Sequence, residues 1–159
     1  MTDRPIKLFT LCFIREGERV LLGMKKRGFG EGKWNGFGGK VDPGETIEEA
    51  ARREIFEEAG ITVMEMERRA QFDFESESDP TILRVSVYAI TDYSGEPVET
   101  EEMEPAWHAI DKIPFDRMWK DDIYWLPRFL NGETLSGTFL FDDLEDPDAE
   151  LLEFTLEAV

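Results

Sequence analysis

The chain has 159 residues, 41% of them hydrophobic and 12 of them phenylalanine, and it carries a formal net charge of −18. This length and composition are those of one ordinary domain, so we expect residues 1–159 to fold as a single unit. The negative charge argues against duplex DNA, bulk RNA and anionic membranes as partners, because each is a polyanion that binds basic surfaces. A free nucleotide is also anionic, so its binding would need a metal ion or local lysine and arginine side chains.

The single cysteine, Cys12, lies in an apolar run. No internal disulfide can form, and we expect a buried structural thiol. No long apolar segment precedes a cleavage site at the N-terminus, and no window approaches 18 apolar residues. These features predict a soluble, cytoplasmic protein, and we expect it to be a monomer.

The first part of the chain predicts a β-hairpin followed by a glycine-bearing loop. An apolar run at 6–14 and a second strand at 19–26 flank a turn at 16–18. Lys25, Lys26 and Arg27 then precede the loop 28–39, either as phosphate contacts or as solvated charges at a strand end. The loop lacks the Lys-Ser/Thr ending of a Walker loop and does not open a helix. Its glycines would let the backbone approach a metal or ligand closely.

A short acidic helix follows this loop. Thr46 and Glu49 form a capping-box pattern, and Gly60 is placed to end the helix in a left-handed conformation, so we predict a helix over 47–59. At about 100° per residue, Glu54 and Glu58 fall inside the apolar stripe of this helix, which is made by Ile47, Ala51 and Ile55.

Two carboxylates in an apolar stripe are costly, because like charges four residues apart repel and a desolvated carboxylate needs a partner. A divalent cation would offset both costs. Mg²⁺ suits the position, since it prefers oxygen ligands and is held by a few carboxylates together with substrate phosphates. The alternative is a solvated acidic helix with Arg52 and Arg53 as ion-pair partners.

The second half of the chain reads mainly as strands. We predict strands at 67–76 and 81–91 joined by a turn at 78–80, a strand near 106–110, and strands at 135–141 and 151–156 that flank an acidic loop at 142–150. His108 lies in the third of these strands, where we expect a structural role for it.

The segment 115–132 brings aromatic and acidic side chains together: Trp119, Asp121, Asp122 and Trp125. One interpretation is that an aspartate caps a helix whose tryptophans belong to the core. The other is a nucleobase pocket with aromatic walls for stacking and carboxylates that bind the polar edge of the base. Pro127 would be tolerated in the first turn of such a helix and would kink it later.

The spacing around the acidic helix adds a further indication. Gly39, Glu45, Arg53-Glu54-Ile55, Glu57-Glu58 and Gly60-Ile61 occupy every fixed position of the 23-residue Nudix box. The chain therefore resembles the Nudix hydrolases. This resemblance implies an α/β Nudix fold, an α/β/α sandwich around a mixed sheet, and hydrolysis of a nucleoside diphosphate linked to another group with Mg²⁺ or Mn²⁺.

The segments 21–41 and 113–125 resemble the MutT-homologue branch of this family, the oxidised-purine nucleoside triphosphatases of nucleotide-pool sanitation. That likeness implies hydrolysis of 8-oxo-dGTP or 2-oxo-dATP to the monophosphate and pyrophosphate. It implies that the metal ligands are the Gly38 carbonyl, Glu54, Glu57, Glu58 and Glu102, and that Arg53 orients the catalytic glutamates. The substrate-binding residues that it implies are Thr10, Lys25, Phe29, Asn35, Phe37, Gly38, Gly39, Lys40, Phe74, Trp119, Lys120, Asp121 and Asp122. The chain departs from the branch mainly in 67–91 and in the acidic loop 142–150.

The chemistry needs no side-chain nucleophile, because metal ions can position the water and stabilise the leaving pyrophosphate. Glu57 or Glu58 could take the proton of that water. Asp121 and Asp122 could share one proton, since like charges at close range raise one pKa, and the pair would then bind the altered purine edge with Asn35 as a neutral partner. The alternatives are a Nudix hydrolase of another diphosphate, such as a nucleotide sugar or dinucleoside polyphosphate, and a nucleotide sensor that does not hydrolyse.

Overall fold

A computed structural model describes residues 3–159 of the chain. The strands are β1 (Ile6–Glu16), β2 (Arg19–Lys25), β3 (Trp34–Asn35), β4 (Thr62–Ser76), β5 (Asp79–Ser94), β6 (Met103–Ala109), β7 (Leu135–Phe141) and β8 (Leu151–Ala158). The α-helices are α1 (Ile47–Ala59) and α2 (Asp122–Leu130). None of the helices in this described part is long and apolar enough to cross a membrane.

The strands form one mixed sheet in the order β3-β2-β1-β5-β4-β7-β8, and β6 also pairs with β2. β1 lies parallel to β5 and β4 lies parallel to β7. The β1–β2 pair is antiparallel, with Ile14 opposite Leu21, which confirms the predicted hairpin.

The two helices cover opposite faces of this sheet, because successive residues of a strand point to opposite sides. In β1, Cys12 and Ile14 pack in the core beside α1, whereas Phe13 packs in a second core with Trp125 and Phe129 of α2. The sheet thus lies between two helical layers, and the predicted α/β/α sandwich is confirmed. Cys12 is fully buried, and burial raises the pKa of its thiol.

Helix α1 has the predicted bounds and caps. The Thr46 hydroxyl accepts a hydrogen bond from the Glu49 N–H at 3.1 Å, and the Glu49 carboxylate accepts one from the Thr46 N–H at 2.9 Å. Gly60 ends the helix with φ of 71°, in the left-handed region. These caps fix which helical face is presented to the sheet.

Several predicted strand boundaries were wrong. The chain turns at 77–78, and Pro80 lies at the start of β5, where a missing N–H is tolerated. β4 and β5 continue to Thr62 and Ser94, which pair with each other beyond the alternating segment. β6 begins at Met103, whose buried side chain extends the strand towards the acidic segment before it.

Candidate active site

The glutamates of α1 face a cleft of about 390 Å³ that is lined by Lys25, Gly38, Gly39, Glu54, Glu57, Glu58 and Glu102. The fold therefore brings together all five predicted metal ligands, although Glu102 is far away in the sequence. Glu58 is only 2% exposed, whereas Glu57 lies at the solvent side. Burial raises the pKa of the Glu58 carboxyl to about 8, against the opposing effect of Lys25.

Arg53 holds the exposed side of this carboxylate group. Its guanidinium donates to Glu45 at 2.7 and 3.1 Å, to Glu54 at 2.9 Å and to Glu57 at 3.3 Å. A further N–H donates to the carbonyl of Lys40 at 3.2 Å. One planar side chain thus fixes two of the predicted ligands relative to the loop before α1, which is the geometry expected of the predicted orienting role.

The segment 37–39 lies against β1 so closely that glycine is required in it. A Cβ on Gly38 would lie 1.9 Å from the carbonyl oxygen of Thr10, and one on Gly39 would lie 2.7 Å from the carboxylate of Glu54. The Gly38 N–H donates to Oε1 of Glu58 at 2.9 Å, which fixes that carboxylate at the base of the cleft. Phe37 is fully buried in the core, and its backbone N–H and carbonyl both pair with Cys12, so the structure does not bring the predicted substrate contact of Phe37 to the cleft.

The donor set of the cleft fits a hard divalent cation. It offers four carboxylates and the Gly38 carbonyl, and oxygen ligands of this kind suit Mg²⁺ and Mn²⁺. Among residues 3–159 no three such side chains already stand in a metal-binding arrangement. Instead, the Nζ of Lys25 lies 3.8 Å from Oε2 of Glu58 and 3.5 Å from Oε2 of Glu102, so an ammonium group stands between two carboxyl groups that would hold a metal.

A second site lies at the start of α2. Asp121 and Asp122 are each 2% exposed. Oδ2 of Asp121 accepts a hydrogen bond from the indole N–H of Trp125 at 2.7 Å, and neither aspartate side chain caps the helix, so the capping interpretation was wrong. Oδ2 of Asp122 is buried with no hydrogen-bond partner. Burial raises the pKa of both carboxyls, and the adjacent Asp121 charge raises that of Asp122 further.

Aromatic side chains stand beside this aspartate pair. The half-buried Trp119 ring stacks on Phe29 with centroids 5.3 Å apart, and the Nζ of Lys33 lies 5.1 Å from the centroid of the Trp119 ring. Phe74 packs on Phe139 with centroids 5.4 Å apart, behind the same region. Trp119 and Phe29 thus stack on each other, and the Trp119 carbonyl accepts the Asp122 N–H at 3.1 Å, whereas Trp125 belongs to the core.

The other predicted substrate-binding residues differ in burial and in their hydrogen-bond partners. Oδ1 of Asn35 accepts the Gly36 N–H at 2.8 Å, which leaves the amide N–H groups of Asn35 free to donate. Thr10 is buried against Gly39, and the exposed Lys40 contributes its carbonyl to Arg53. Lys120 points away to Glu150, 2.9 Å from its Oε1, so the structure does not bring its side chain to the base site.

Two features of the site carry no signal in the sequence. Lys33 lies near both Trp119 and Asp122, and its ammonium opposes the rise of the Asp122 pKa. Three successive cations, Lys25, Lys26 and Arg27, pair with carboxylates of the segment 99–102. This pairing differs from both predicted roles, phosphate contact and solvated charges at a strand end. No sequence signal joins these groups, because they lie more than 70 positions apart.

His108 has contacts that suit a structural role. Its Nδ1 lies 3.1 Å from the carbonyl oxygen of Ala106, and its ring packs edge-on against Trp34 at a centroid distance of 4.6 Å. It does not line the cleft of the glutamates.

Comparison with known proteins gives a consistent set of relatives. The family model of the NUDIX domain matches residues 7–129. The chain is 52% identical over 135 residues to an oxidized purine nucleoside triphosphate hydrolase of Danio rerio, covering 85% of this chain and 86% of that protein. It is 46% identical over 137 residues to the protein of the same name from Mus musculus, covering 86% and 88%. A crystal structure of a mutator MutT protein from Bacillus halodurans superposes with a TM-score of 0.78 at 28% identity, covering 95% of this chain and 97% of that one.

Proposed function

The chain belongs to the Nudix family, and we propose that it is a nucleoside triphosphate diphosphatase that hydrolyses oxidised purine nucleoside triphosphates. Its substrates would be 8-oxo-dGTP and 2-oxo-dATP, and its products the monophosphate and pyrophosphate. The names of the Danio rerio and Mus musculus relatives support this substrate class, since the aligned regions cover most of each chain. The activity would remove damaged nucleotides from the pool that supplies DNA synthesis.

The observation that carries the substrate assignment is the unpartnered Oδ2 of Asp122. A buried polar atom without a partner costs free energy, and a ligand that hydrogen-bonds to it removes that cost. Because burial raises the pKa of both aspartates, the pair can hold one proton and present a donor beside acceptors. A purine edge changed by oxidation is a partner for such a pair, and Trp119 lies where the ring of the purine could stack.

At the cleft, Glu54, Glu57, Glu58, Glu102 and the Gly38 carbonyl would hold Mg²⁺ or Mn²⁺. When bound, the metal neutralises phosphate oxygens and favours deprotonation of the attacking water. Arg53 keeps Glu54 and Glu57 in position, and the Gly38 N–H does so for Glu58. Glu57 or Glu58 takes the proton of the water as general base, and Lys25, which lies beside Glu58 and Glu102, would supply a positive charge for the phosphates at the same cleft.

The loop 28–39 joins the two sites. Gly30 and Lys33 lie at Trp119, and Gly38 and Gly39 line the cleft of the glutamates. A nucleotide whose base lies on Trp119 could therefore extend its phosphates along one loop towards α1. This continuity favours a substrate that carries a purine and a polyphosphate together.

The test is to incubate the protein with 8-oxo-dGTP and Mg²⁺ and to identify the products by ion-exchange chromatography. We expect 8-oxo-dGMP and pyrophosphate in equal amounts, and we expect Glu58→Gln to lose nearly all turnover. Glu48→Gln, an exposed position in the first turn of the same helix, is the matched control and should retain turnover. Release of inorganic phosphate with the diphosphate, or hydrolysis of nucleotide sugars or dinucleoside polyphosphates alone, would contradict the proposal.

We also propose that residues 1–159 act as one monomeric domain in the cytoplasm, with a small nucleotide as the partner and neither duplex nucleic acid nor a membrane. The net charge of −18 supports the exclusion of polyanions. Light scattering after size exclusion should give a mass near 18.4 kDa. A mass twice as large would contradict the monomer.

A further inference from the structure

Glu102 reaches the cleft from a segment that has no regular secondary structure. It precedes β6, and its backbone is held from two directions. The Lys26 N–H donates to the Glu102 carbonyl at 2.9 Å, and the Thr100 hydroxyl accepts the N–H of Glu102 at 3.3 Å while it donates to the Glu58 carbonyl at 3.0 Å. The backbone is therefore fixed to the residue that follows β2 and to the end of α1, whereas its hydrogen bonds do not orient the side chain of Glu102.

Two cations divide the carboxylate oxygens of Glu102 between them. Nη2 of Arg27 lies 2.9 Å from Oε1, and Nζ of Lys25 lies 3.5 Å from Oε2. Arg27 does not line the cleft, but Lys25 does. Oε1 of Glu102 is thus held by a residue outside the cleft, and Oε2 lies on the side of Lys25 and Glu58.

The two cations differ in what a divalent ion would do to them. Lys25 stands between Glu58 and Glu102, so a divalent ion held by these two carboxylates would compete with its ammonium group. Arg27 contacts the other oxygen and can stay in place. A carboxylate held through one oxygen keeps the second oxygen free to coordinate.

We propose that Arg27 is a positioning residue for metal binding, which holds Oε1 of Glu102 so that Oε2 faces the cation site of the α1 glutamates. This inference rests on the proposed function, because it takes Glu102 as a metal ligand. It also assigns a role to the cationic segment 25–27 that is different from phosphate contact: Arg27 and Lys26 hold the acidic segment, and Lys25 alone faces the cleft.

The sign of the effect of removing Arg27 separates positioning from simple electrostatics. Removing a positive charge near a cation site should tighten cation binding if Arg27 acts only through its charge, or if it competes with the metal for Glu102. Loss of a positioning residue should weaken it instead. The free energy of unfolding should change little in either case, because the ion pair between Arg27 and Glu102 is largely exposed.

The experiment is a Mn²⁺ titration of the full chain followed by electron paramagnetic resonance, first without nucleotide and then with a non-hydrolysable dGTP analogue. We expect Arg27→Gln to raise the Kd for Mn²⁺ about tenfold, the low end for residues that orient metal ligands, because Arg27 is more than half exposed. Arg27→Lys should restore part of the affinity. Glu101→Gln is the matched control, since Glu101 also lies near Arg27, at 3.6 Å, but outside the cleft, and it should leave the Kd unchanged.

A double-mutant cycle completes the test. If Arg27 acts through Glu102, then Arg27→Gln should have no further effect on Mn²⁺ affinity in a Glu102→Gln background. Tighter binding by Arg27→Gln, an unchanged Kd, or effects that multiply in the double variant would overturn the inference. If Glu102→Gln leaves the Kd unchanged while Glu58→Gln raises it, the role of Arg27 is lost but the proposed hydrolysis stands. If the unaltered protein binds no Mn²⁺ even with the nucleotide analogue, the metal site of the proposed function fails as well.

Discussion

In the metal-free protein, Glu58→Gln is expected to raise stability at alkaline pH although it removes turnover. Glutamine has the shape of glutamate, and its side-chain carbonyl can still accept the Gly38 N–H that now lies 2.9 Å from Oε1. The substitution therefore removes the ionisable proton of a side chain that is 2% exposed and leaves the packing in place. What changes is the cost of burying a negative charge near Glu54 and Glu102.

The pKa of Glu58 gives the magnitude and the sign. Burial raises this pKa from its ordinary value of 4.5 to about 8. Below pH 4.5 the carboxyl is protonated in both the native and the unfolded state, and between these two values only the native state keeps the proton. The free energy of unfolding should therefore fall by about 1.4 kcal/mol for each pH unit across this window, and the loss is complete above the native pKa. Between pH 5.5 and pH 8.5 the titration of Glu58 alone should lower the free energy of unfolding by about 3 kcal/mol, and Glu58→Gln should not show this loss.

The assay is urea unfolding in EDTA at pH 5.5 and pH 8.5, with the unaltered protein and Glu58→Gln compared at each pH. Titrating groups that do not interact with Glu58 cancel in the difference between the two proteins. We expect Glu58→Gln to gain about 3 kcal/mol relative to the unaltered protein between the two pH values. Saturating Mg²⁺ in place of EDTA should narrow this difference in stability at pH 8.5, because the metal should bind the unaltered protein more tightly than Glu58→Gln, which has lost one ligand. The reasoning would be refuted if the stability difference between the two proteins did not depend on pH, or if Glu58→Gln were less stable than the unaltered protein at pH 8.5.

Three further predictions concern the base site and the glycine segment. Asp122→Asn should change the ratio of kcat/KM for 8-oxo-dGTP and 2-oxo-dATP by about tenfold or more while Mn²⁺ affinity stays the same, and an unchanged ratio would contradict the pocket assignment. Trp119→Ala should lose about 1–3 kcal/mol of base stacking, measured as a rise of about fivefold or more in KM for 8-oxo-dGTP, whereas equal losses for a substrate that lacks a purine would point to misfolding. Gly38→Ala should lower the free energy of unfolding by about 2 kcal/mol or more in urea titrations, because its Cβ would lie 1.9 Å from the carbonyl oxygen of Thr10. Gly44→Ala is a control for backbone strain alone, because its Cβ would meet open space whereas its φ is 86°, in the left-handed region. We expect Gly38→Ala to lose more stability than Gly44→Ala, and a smaller loss would contradict the steric argument.

Local signals in the sequence predicted the elements whose ends they define. Thr46, Glu49 and Gly60 fixed α1 at both ends, and the apolar run 135–141 predicted β7 with its observed bounds. The position of the glutamates on α1 followed from helical periodicity alone. The two-residue strand β3 carries no pattern of its own, because it exists only through pairing with Gly23 and Met24 of β2.

Contacts between distant segments were the part that the sequence could not provide. The acidic segment 99–102 lacks a hydrophobic pattern, and its position depends on ion pairs with Lys25, Lys26 and Arg27 that form only when β2 and β6 lie side by side. For the same reason the choice between helix cap and base pocket for Asp121 and Asp122 stayed open. The structure decides against the cap, because Asp121 accepts the Trp125 indole N–H and Asp122 retains a buried oxygen without a partner.

The central claim is that this Nudix site selects an oxidised purine, and it is tested most directly by kcat/KM with Mg²⁺ for 8-oxo-dGTP and for unmodified dGTP under the same conditions. We predict a preference of about a hundredfold or more for the oxidised base, which corresponds to about 2.7 kcal/mol of differential transition-state binding. Near-equal values would contradict selection by the aspartate pair, even if the hydrolysis itself proceeds.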